Sequence, residues 1–405
     1  MDNLTHSLIG VTFGQAVVER MPDVDARKRS AIFWTAVLGN NFPDFDFIVG
    51  RFAGHGNLGY LLNHRGHSHT LLAAPILASA VAWIGAKIAR VKLRENRWLF
   101  WLALASVGLH LFADSWNEYG IHPFWPFVNH WFYGDFIFIL EPSLWMAMLP
   151  LVIIIARTRV WRWLAIVLDV MLLAALWSGR FASWPLALGL TIWNAAVAVF
   201  SFRFRDSRVA LLSVFLALAV FKIGSVRAHA RVQDWLVLHE PHEKVLDVVI
   251  SPAPGNPFCW RTLSLSSVEG DPDHDYVARP GVVSLWPGIF SAESCHIRSQ
   301  AIRTAPMSPP VPVSQEPAKL WWAGEYHGRI ADLRRLNDSN CRFAELLRFA
   351  RIPYWDEKQG VAGDLRYDNE PGLGFAELML DPELGCLAHV PPWVPPVADK
   401  IDLNH

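Results

Sequence analysis

Long, nearly uncharged apolar stretches dominate the first 226 positions and then give way to short ones. Segments at 70–90, 98–116, 137–156, 160–178, 184–202 and 208–226 approach the roughly 20 residues that a helix rising about 1.5 Å per residue needs to cross a bilayer. Two shorter stretches, 4–19 and 30–42, carry Gln15, Glu19, Asn40 and Asn41. The pattern predicts a further helix pair there. From about residue 228 the apolar runs shorten and Pro and Gly multiply. In that part 245–250 and 281–286 read as strands, 304–317 as a proline-rich loop and 341–350 as a short helix. The reading is a mainly α membrane protein, a polytopic helical bundle of about eight helices with a C-terminal strand-rich α+β soluble domain. It divides into a metal-site helical region (1–135), a transmembrane helical bundle (136–227) and a soluble strand-rich domain (228–405).

Charge placement orients the bundle. Basic residues cluster in alternate connections: Lys92, Arg94 and Arg97; Arg157, Arg159 and Arg162; Arg203, Arg205 and Arg208; and Arg20, Arg27, Lys28 and Arg29 at the turn of the first pair. The excess of basic residues in cytoplasmic loops assigns these to the inside. The connection holding Glu118, Asp135 and Glu141 lacks Lys and Arg, and the turn near 180 has Arg180 alone, so both face outward with the chain beyond Arg227. With 52% hydrophobic residues, 20 Trp and a net charge of -1, the composition is that of a membrane protein and excludes a basic nucleic-acid-binding surface. The start has no basic n-region of a cleavable signal. Asp2 and His6 are therefore expected to be retained.

The chemistry is concentrated at the outward ends of these helices. His64, His67 and His69 fall within six residues, Asp44 and Asp46 follow Pro43, and His110 and Asp114 stand four apart near the end of an apolar segment. A four-residue spacing puts His110 and Asp114 on one helix face. Asp44 and Asp46 are read as lying on an extended or turning segment after the helix, and His64 and His67 as sharing a face if the run is helical, with His69 diverging. So many ionisable groups at one depth of a bilayer point to a metal centre with His6, Asp44, Asp46, His64, His67, His69, His110 and Asp114 as ligands. Imidazole with carboxylate suits zinc and also manganese or iron, and the number of donors suits two or three ions. His55, His122 and His130 are further candidates, and Arg65 is read either as orienting an anionic substrate group or as an anchor at the interface.

Four stretches, Asp2-Asn3-Leu4-Thr5-His6-Ser7-Leu8, Asn41-Phe42-Pro43-Asp44-Phe45-Asp46, His64-Arg65-Gly66-His67-Ser68-His69-Thr70 and His110-Leu111-Phe112-Ala113-Asp114, resemble the YdjM-like family of bacterial inner-membrane metal-dependent hydrolases. The likeness is dense over 1–150. That family is remotely similar to zinc-dependent phospholipase C and P1-type nucleases, which share a His-x-x-x-Asp helix pair; their His-x-x-x-Glu pair has no counterpart in the site region. The resemblance implies hydrolysis of an ester or phosphoester by metal-activated water, with Asp46 or Asp114 taking the proton and Arg65 assisting. A site at the periplasmic face implies a lipid or lipid-linked substrate.

Two other classes remain open from the residues: a metal-handling or transport protein, and a non-catalytic scaffold braced by a structural metal. The spans from 143 to 226 hold few polar residues beyond Asp169, Asn194 and Lys222, which disfavours transport. All four cysteines, Cys259, Cys295, Cys341 and Cys386, lie in the last domain, where an oxidising outer side allows two disulfides in any of three pairings. Trp260, Trp286, Trp321 and Trp322 are available there to cover the site or meet the membrane interface.

Overall fold

A computed structural model describes the chain except residues 49–55, 180–181, 269–274, 296–303, 310–315, 369–371, 382–383, 388, 399 and 402–405. The first helix pair is α1 (Asn3–Val18) and α2 (Ala26–Gly39). Asp2 caps α1 by accepting from the Leu4 and Thr5 N–H groups at 2.9 and 3.0 Å, and Asp25 caps α2 through Lys28 N. Both aspartates satisfy N–H groups that a helix start leaves unpaired. The chain continues through α3 (Asn57–Asn63), α4 (Ala74–Ile88), α5 (Trp98–Asp114), α6 (Pro142–Ile155), α7 (Arg159–Trp177), α8 (Trp184–Phe204) and α9 (Ser207–His239).

Glycine lets α1, α2, α4 and α5 approach closely. A Cβ on Gly10 would stand 2.8 Å from the Ala36 carbonyl oxygen, and one on Gly39 would stand 2.5 Å from Ser106 Cβ. Such small-residue crossings bring backbones together where lipid removes the hydrophobic drive between helices. Glu19, at the end of α1, accepts from Ser207 N at 3.1 Å and Ser207 Oγ at 2.6 Å, so the start of α9 sits beside the end of α1.

Among the described residues α7, α8 and α9 are long and apolar enough to span, and the stretch Asn57–His69 with Ala74–Ile88 qualifies as one span bent by 81°. The expected spans at 98–116 and 137–156 are realised as shorter helices of 17 and 14 residues. Much of α7 faces outward, with Val160, Trp161, Trp163, Leu164, Val167 and Met171 exposed. The last expected span, 208–226, is part of a 33-residue helix. Ala228, Val232 and Leu236, spaced by four and buried in one core with Val248, Ile250 and Trp260, carry that helix across residue 227 because its inner face changes from helix neighbours to sheet without losing the helical period.

The sheet on α9 is antiparallel. β1 (Glu243–Ala253), β2 (Asn256–Val268) and β3 (Tyr276–Ser284) are followed by β4 (Leu320–Trp322) and β5 (Tyr326–Gly328), which both pair with β3. α10 (Ile330–Ser339) and α11 (Cys341–Leu347) precede a second sheet of β6 (Pro353–Asp356), β7 (Val361–Asp364) and β8 (Glu377–Met379). The strand expected at 281–286 ends at Ser284, and the helix expected at 341–350 ends at Leu347. Of the expected loop at 304–317, Ser308 pairs with Glu325 while 310–315 lie outside the described residues. Arg180 also lies outside them. Disulfides join Cys259 to Cys295 and Cys341 to Cys386.

This domain is bound to the helical part by core and by charge. Leu58, Leu61 and Leu62 of α3 are buried in the same cluster as Phe343, Leu346, Leu347, Tyr354 and Trp393. Arg351 reaches Asp247 at 2.7 Å and Asp135 at 2.8 Å. Buried Glu141 accepts from Gly255 N at 3.1 Å and from Ser143 N and Oγ, tying the start of α6 to the β1–β2 turn. Trp260 packs against α9 at Gly224, Trp322 against Trp235, and Trp286 is half exposed. From this domain Trp393 reaches the histidine run, 4.9 Å from the His67 ring.

Candidate metal centre

The site forms where one end of the bundle gathers the turn after α2, the turn before α4 and the end of α5. The chain after α2 makes a 3-10 turn, Phe42–Phe45, with Asp46 closing it. Of the extended or turning segment expected here, the turn is the one formed, and Pro43 occupies its start, where a missing N–H costs nothing. Asp44 is buried within that turn.

The histidine run does not continue as a helix. Arg65 adopts φ +58° and a separate 3-10 turn covers His67–His69. Asp46 pins this reversal by accepting from Arg65 N at 2.8 Å and Ser68 Oγ at 2.6 Å. The run is not helical, so the helical condition for His64 and His67 to share a face is not met. His64 and His69 turn toward the carboxylates, whereas His67 is exposed and lies edge-on to Trp125 at 4.6 Å.

Asp44, His69, His110 and Asp114 offer donor atoms that all lie within 4.8 Å of one another, and every one of these residues is buried. His69 Nε2 is 3.0 Å from Asp114 Oδ2, 3.5 Å from Asp44 Oδ1 and 3.0 Å from His110 Nε2. His110 Nε2 is 3.3 Å from Asp114 Oδ2 and 3.6 Å from Asp44 Oδ1. A second group, Asp44, Asp46 and His64, satisfies the same distance criterion and shares Asp44 with the first. His6 stacks on His110 with ring centroids 3.9 Å apart and approaches Asp114 Oδ1 at 3.2 Å. The Met1 amino group is bonded to Asp114.

The donor set fits a cation on two further observations. His110 Nδ1 faces the Asn40 carbonyl at 2.8 Å; a carbonyl only accepts, so Nδ1 carries the proton and the lone pair of Nε2 points into the cluster. Asp44 Oδ1 is buried without a hydrogen-bond donor. An acceptor left in that state costs free energy that a bound cation removes.

The protonation of the group follows from its packing. Burial alone would raise the Asp44 carboxyl, but His69 and His110 beside it hold it down at about 2. Burial works the same way on Asp46, and the bonds from His64 and His69 outweigh it, leaving the carboxyl well below the usual range. Burial disfavours a charged His69, yet Asp114, Asp44 and Asp46 around it raise it well above the ordinary imidazole value.

Arg65 turns inward. It is 1% exposed, with one nitrogen 2.8 Å from Asp114 Oδ1 and another 2.9 Å from Asn117 Oδ1, and its guanidinium lies 5.0 Å from the Tyr119 ring centre. This is a counter-ion to Asp114, which corrects the expectation that Arg65 meets a substrate anion. Asp114, contacted by the Met1 amine, His6, His69, His110 and Arg65, is poorly placed to accept a further proton. His122 is buried between Trp393 and Trp131, at ring distances of 3.9 and 4.0 Å, and His130 is exposed. Neither belongs to the ligand groups. His55 lies outside the described residues.

Residues 1–184 match the YdjM inner membrane protein family. The YdjM match contains every member of both ligand groups and stops at the first residue of α8. "Uncharacterized protein YfhP" of Bacillus subtilis is 27% identical over 158 residues, 38% of this chain and 46% of the relative. The chain thus matches less than half the length of that relative. No solved structure matches the chain.

Several site residues gave no signal in the sequence. Asn40 and Asn117, which orient His110 and Arg65, look like ordinary polar helix-end residues. The aromatic cover beside the centre comes partly from the distant C-terminal domain: Tyr60 stacks on His64 at 4.7 Å, Phe375 meets Tyr60 at 5.9 Å, and Tyr367 lies 6.3 Å from Tyr119. No local spacing connects these residues.

Proposed function

We propose that this protein is a metal-dependent hydrolase of the bacterial inner membrane that cleaves ester or phosphoester bonds at the periplasmic face. The observation that carries the reading is the pair of ligand groups sharing Asp44. A carboxylate common to two neighbouring donor sets is suited to a two-ion centre. Asp44, His69, His110 and Asp114 would hold one ion, and Asp46 and His64 with Asp44 the other; zinc suits this mixture best. Such ions supply Lewis acidity and lower the pKa of coordinated water toward neutrality.

The chain's own residues supply orientation and charge balance. Asp46 Oδ1 is 2.9 Å from His64 Nδ1, and the His64 side chain is 14% exposed, more than any of the four buried ligands. A carboxylate that orients an imidazole fixes its tautomer, so Asp46 would support His64 as the ligand at the accessible edge. Arg65 balances Asp114 and keeps it ionised. The position of the site at one end of the bundle and the apolar helices around it support a lipid or lipid-linked substrate. The motif likeness to zinc-dependent phospholipase C and P1-type nucleases supports the phosphoester alternative.

Elemental analysis of the detergent-purified full chain, with a turnover screen on lipidic and soluble phosphoesters and carboxyesters, tests the proposal. Bound zinc or manganese and turnover should both disappear in His69→Ala. Wild-type protein that retains no metal after reloading would overturn it; metal without turnover would favour a structural ion, which the deep burial of Asp114, His69 and His110 also accommodates.

A further inference from the structure

The segment from Tyr119 to Gly134 contains no Asp, Glu, Lys or Arg, although it joins two membrane helices through 27 irregular residues between Asp114 and Pro142. It folds back on itself. Ile121 and Phe132 exchange backbone hydrogen bonds at 3.1 and 2.8 Å, and the Phe124 and Phe132 rings meet edge to face at 5.7 Å. The result presents apolar side chains outward: Phe124 is 44% exposed, Phe127 89%, Val128 46% and Phe132 51%. A polar loop tip normally covers such a reversal. Here the tip is phenylalanine.

The apolar surface continues beyond the loop. Leu71 N donates to Pro123 O at 2.9 Å, which fixes the loop beside the turn leading into α4. Leu71 and Leu72 in that turn are 54% and 55% exposed, and Ile76, in the first turn of α4, is 72% exposed. The loop tip is thus continuous with the lipid-facing side of a membrane helix, and Trp125 joins it to the site through its contact with His67.

We infer that the loop tip formed by Phe124, Phe127, Val128 and Phe132 is seated in the bilayer leaflet at the metal-centre end of the bundle, so that the centre is approached along a lipid surface. Three observations select lipid over another protein as the occupant. The segment is free of charge, its exposed rings are of the kind that accumulates at membrane interfaces, and it adjoins a helix surface already facing acyl chains. Water contact on so many large apolar groups together is unfavourable, and insertion removes it. The inference rests on the loop and helix geometry and does not require the hydrolase reading.

Depth-dependent quenching tests it in the full chain. Phe127→Cys and, separately, Val128→Cys are labelled with an environment-sensitive fluorophore while the native disulfides stay oxidised, and reconstituted in vesicles of phosphatidylethanolamine and phosphatidylglycerol. Lys358→Cys, exposed in the turn between β6 and β7, serves as the aqueous reference. Labels at 127 and 128 should emit to the blue of the reference, lose emission to acyl-brominated lipids and resist iodide. Labels quenched by iodide and untouched by brominated lipid would overturn the inference. Shielding from both quenchers would also overturn it, because a protein surface, including a second copy of this chain, would then cover the tip. Two independently labelled positions keep the result readable if one variant folds poorly, and no turnover is needed for either outcome.

Discussion

Replacing Arg65 with methionine separates a counter-ion from a ligand. Arg65 is enclosed, pairs with Asp114 at 2.8 Å and bonds Asn117 at 2.9 Å. Methionine fills much of the same volume without the charge. Removing one partner of a buried ion pair costs about 3–5 kcal/mol because the remaining charge stays desolvated. In metal-free protein that full loss is expected, since Asp114 would keep only the Met1 amine and neighbouring imidazoles among two further carboxylates. In metal-loaded protein a divalent cation offsets the unpaired carboxylate, so the loss should be smaller. By linkage the difference reappears in affinity: if about 2 kcal/mol is recovered, the variant binds metal about thirtyfold more tightly. Thermal unfolding in detergent with and without zinc gives the two stabilities, and competition with a chelator gives the Kd ratio. Equal destabilisation in both states, with unchanged or weaker metal affinity, would refute the assignment of Arg65 as the charge that stands against Asp114.

Metal affinity should increase with pH. His69, raised above the usual imidazole range, must give up its proton to coordinate, so binding releases about one proton, and calorimetry in buffers of different ionisation enthalpy reads that number; pH-independent binding would count against His69 as a ligand. In metal-free protein the same shift stabilises the fold below the unfolded imidazole value and is lost as pH rises through the elevated folded value, while Asp44, depressed to about 2, contributes above the ordinary carboxylate range and is lost as pH falls through about 2. A melting series across acid and neutral pH should therefore peak between those limits. His69→Ala should abolish metal binding, whereas His67→Ala should leave stoichiometry unchanged; loss in both would show that the turn at Arg65 is not as described. Glu141→Ala should cost about 1–3 kcal/mol for each buried donor it orphans at Gly255 and Ser143, with Glu141→Gln recovering part, read by thermal unfolding. Breaking Cys341–Cys386, which are 45 residues apart, should cost about 4 kcal/mol through the freed loop, and an unchanged melting point would indicate that the bond is not formed.

Helix positions were legible because apolar period and charge placement act locally. The buried four were also legible: Asp44 beside a proline, His69 in the dense run, and His110 with Asp114 on one helix face. The division of labour inside the run was not. It depends on Arg65 adopting a positive φ and on Asp46 capturing Arg65 N and Ser68 Oγ from another segment, and a helical spacing rule has no access to either event. Arg65 was misread for a related reason. An arginine between histidines looks like an anion receptor, yet its partner Asp114 lies 49 residues away in sequence, so pairing and burial were invisible together. The end of the bundle was misplaced because hydropathy falls at 226 while the buried face of α9 continues through Ala228, Val232 and Leu236; hydropathy reports the solvent a helix meets, not where the helix stops.

The two ligand groups rest on different parts of the molecule. Asp44, His69, His110 and Asp114 are held by the ends of α2 and α5 and the turn before α4, all within the residues that match YdjM. His64 follows α3, whose Leu58, Leu61 and Leu62 are buried against C-terminal residues, and the Leu62 carbonyl accepts from Trp393 Nε1 at 2.8 Å. The position of His64 thus depends on a domain beyond the YdjM match, while the position of His69 does not. A chain sharing only the first 184 residues can retain the buried group intact and must rebuild the support for the rim. Metal binding tied to the buried ligands can therefore be common to such chains, while access and the placing of the outer ligand His64 are set by whatever domain each one places over α3.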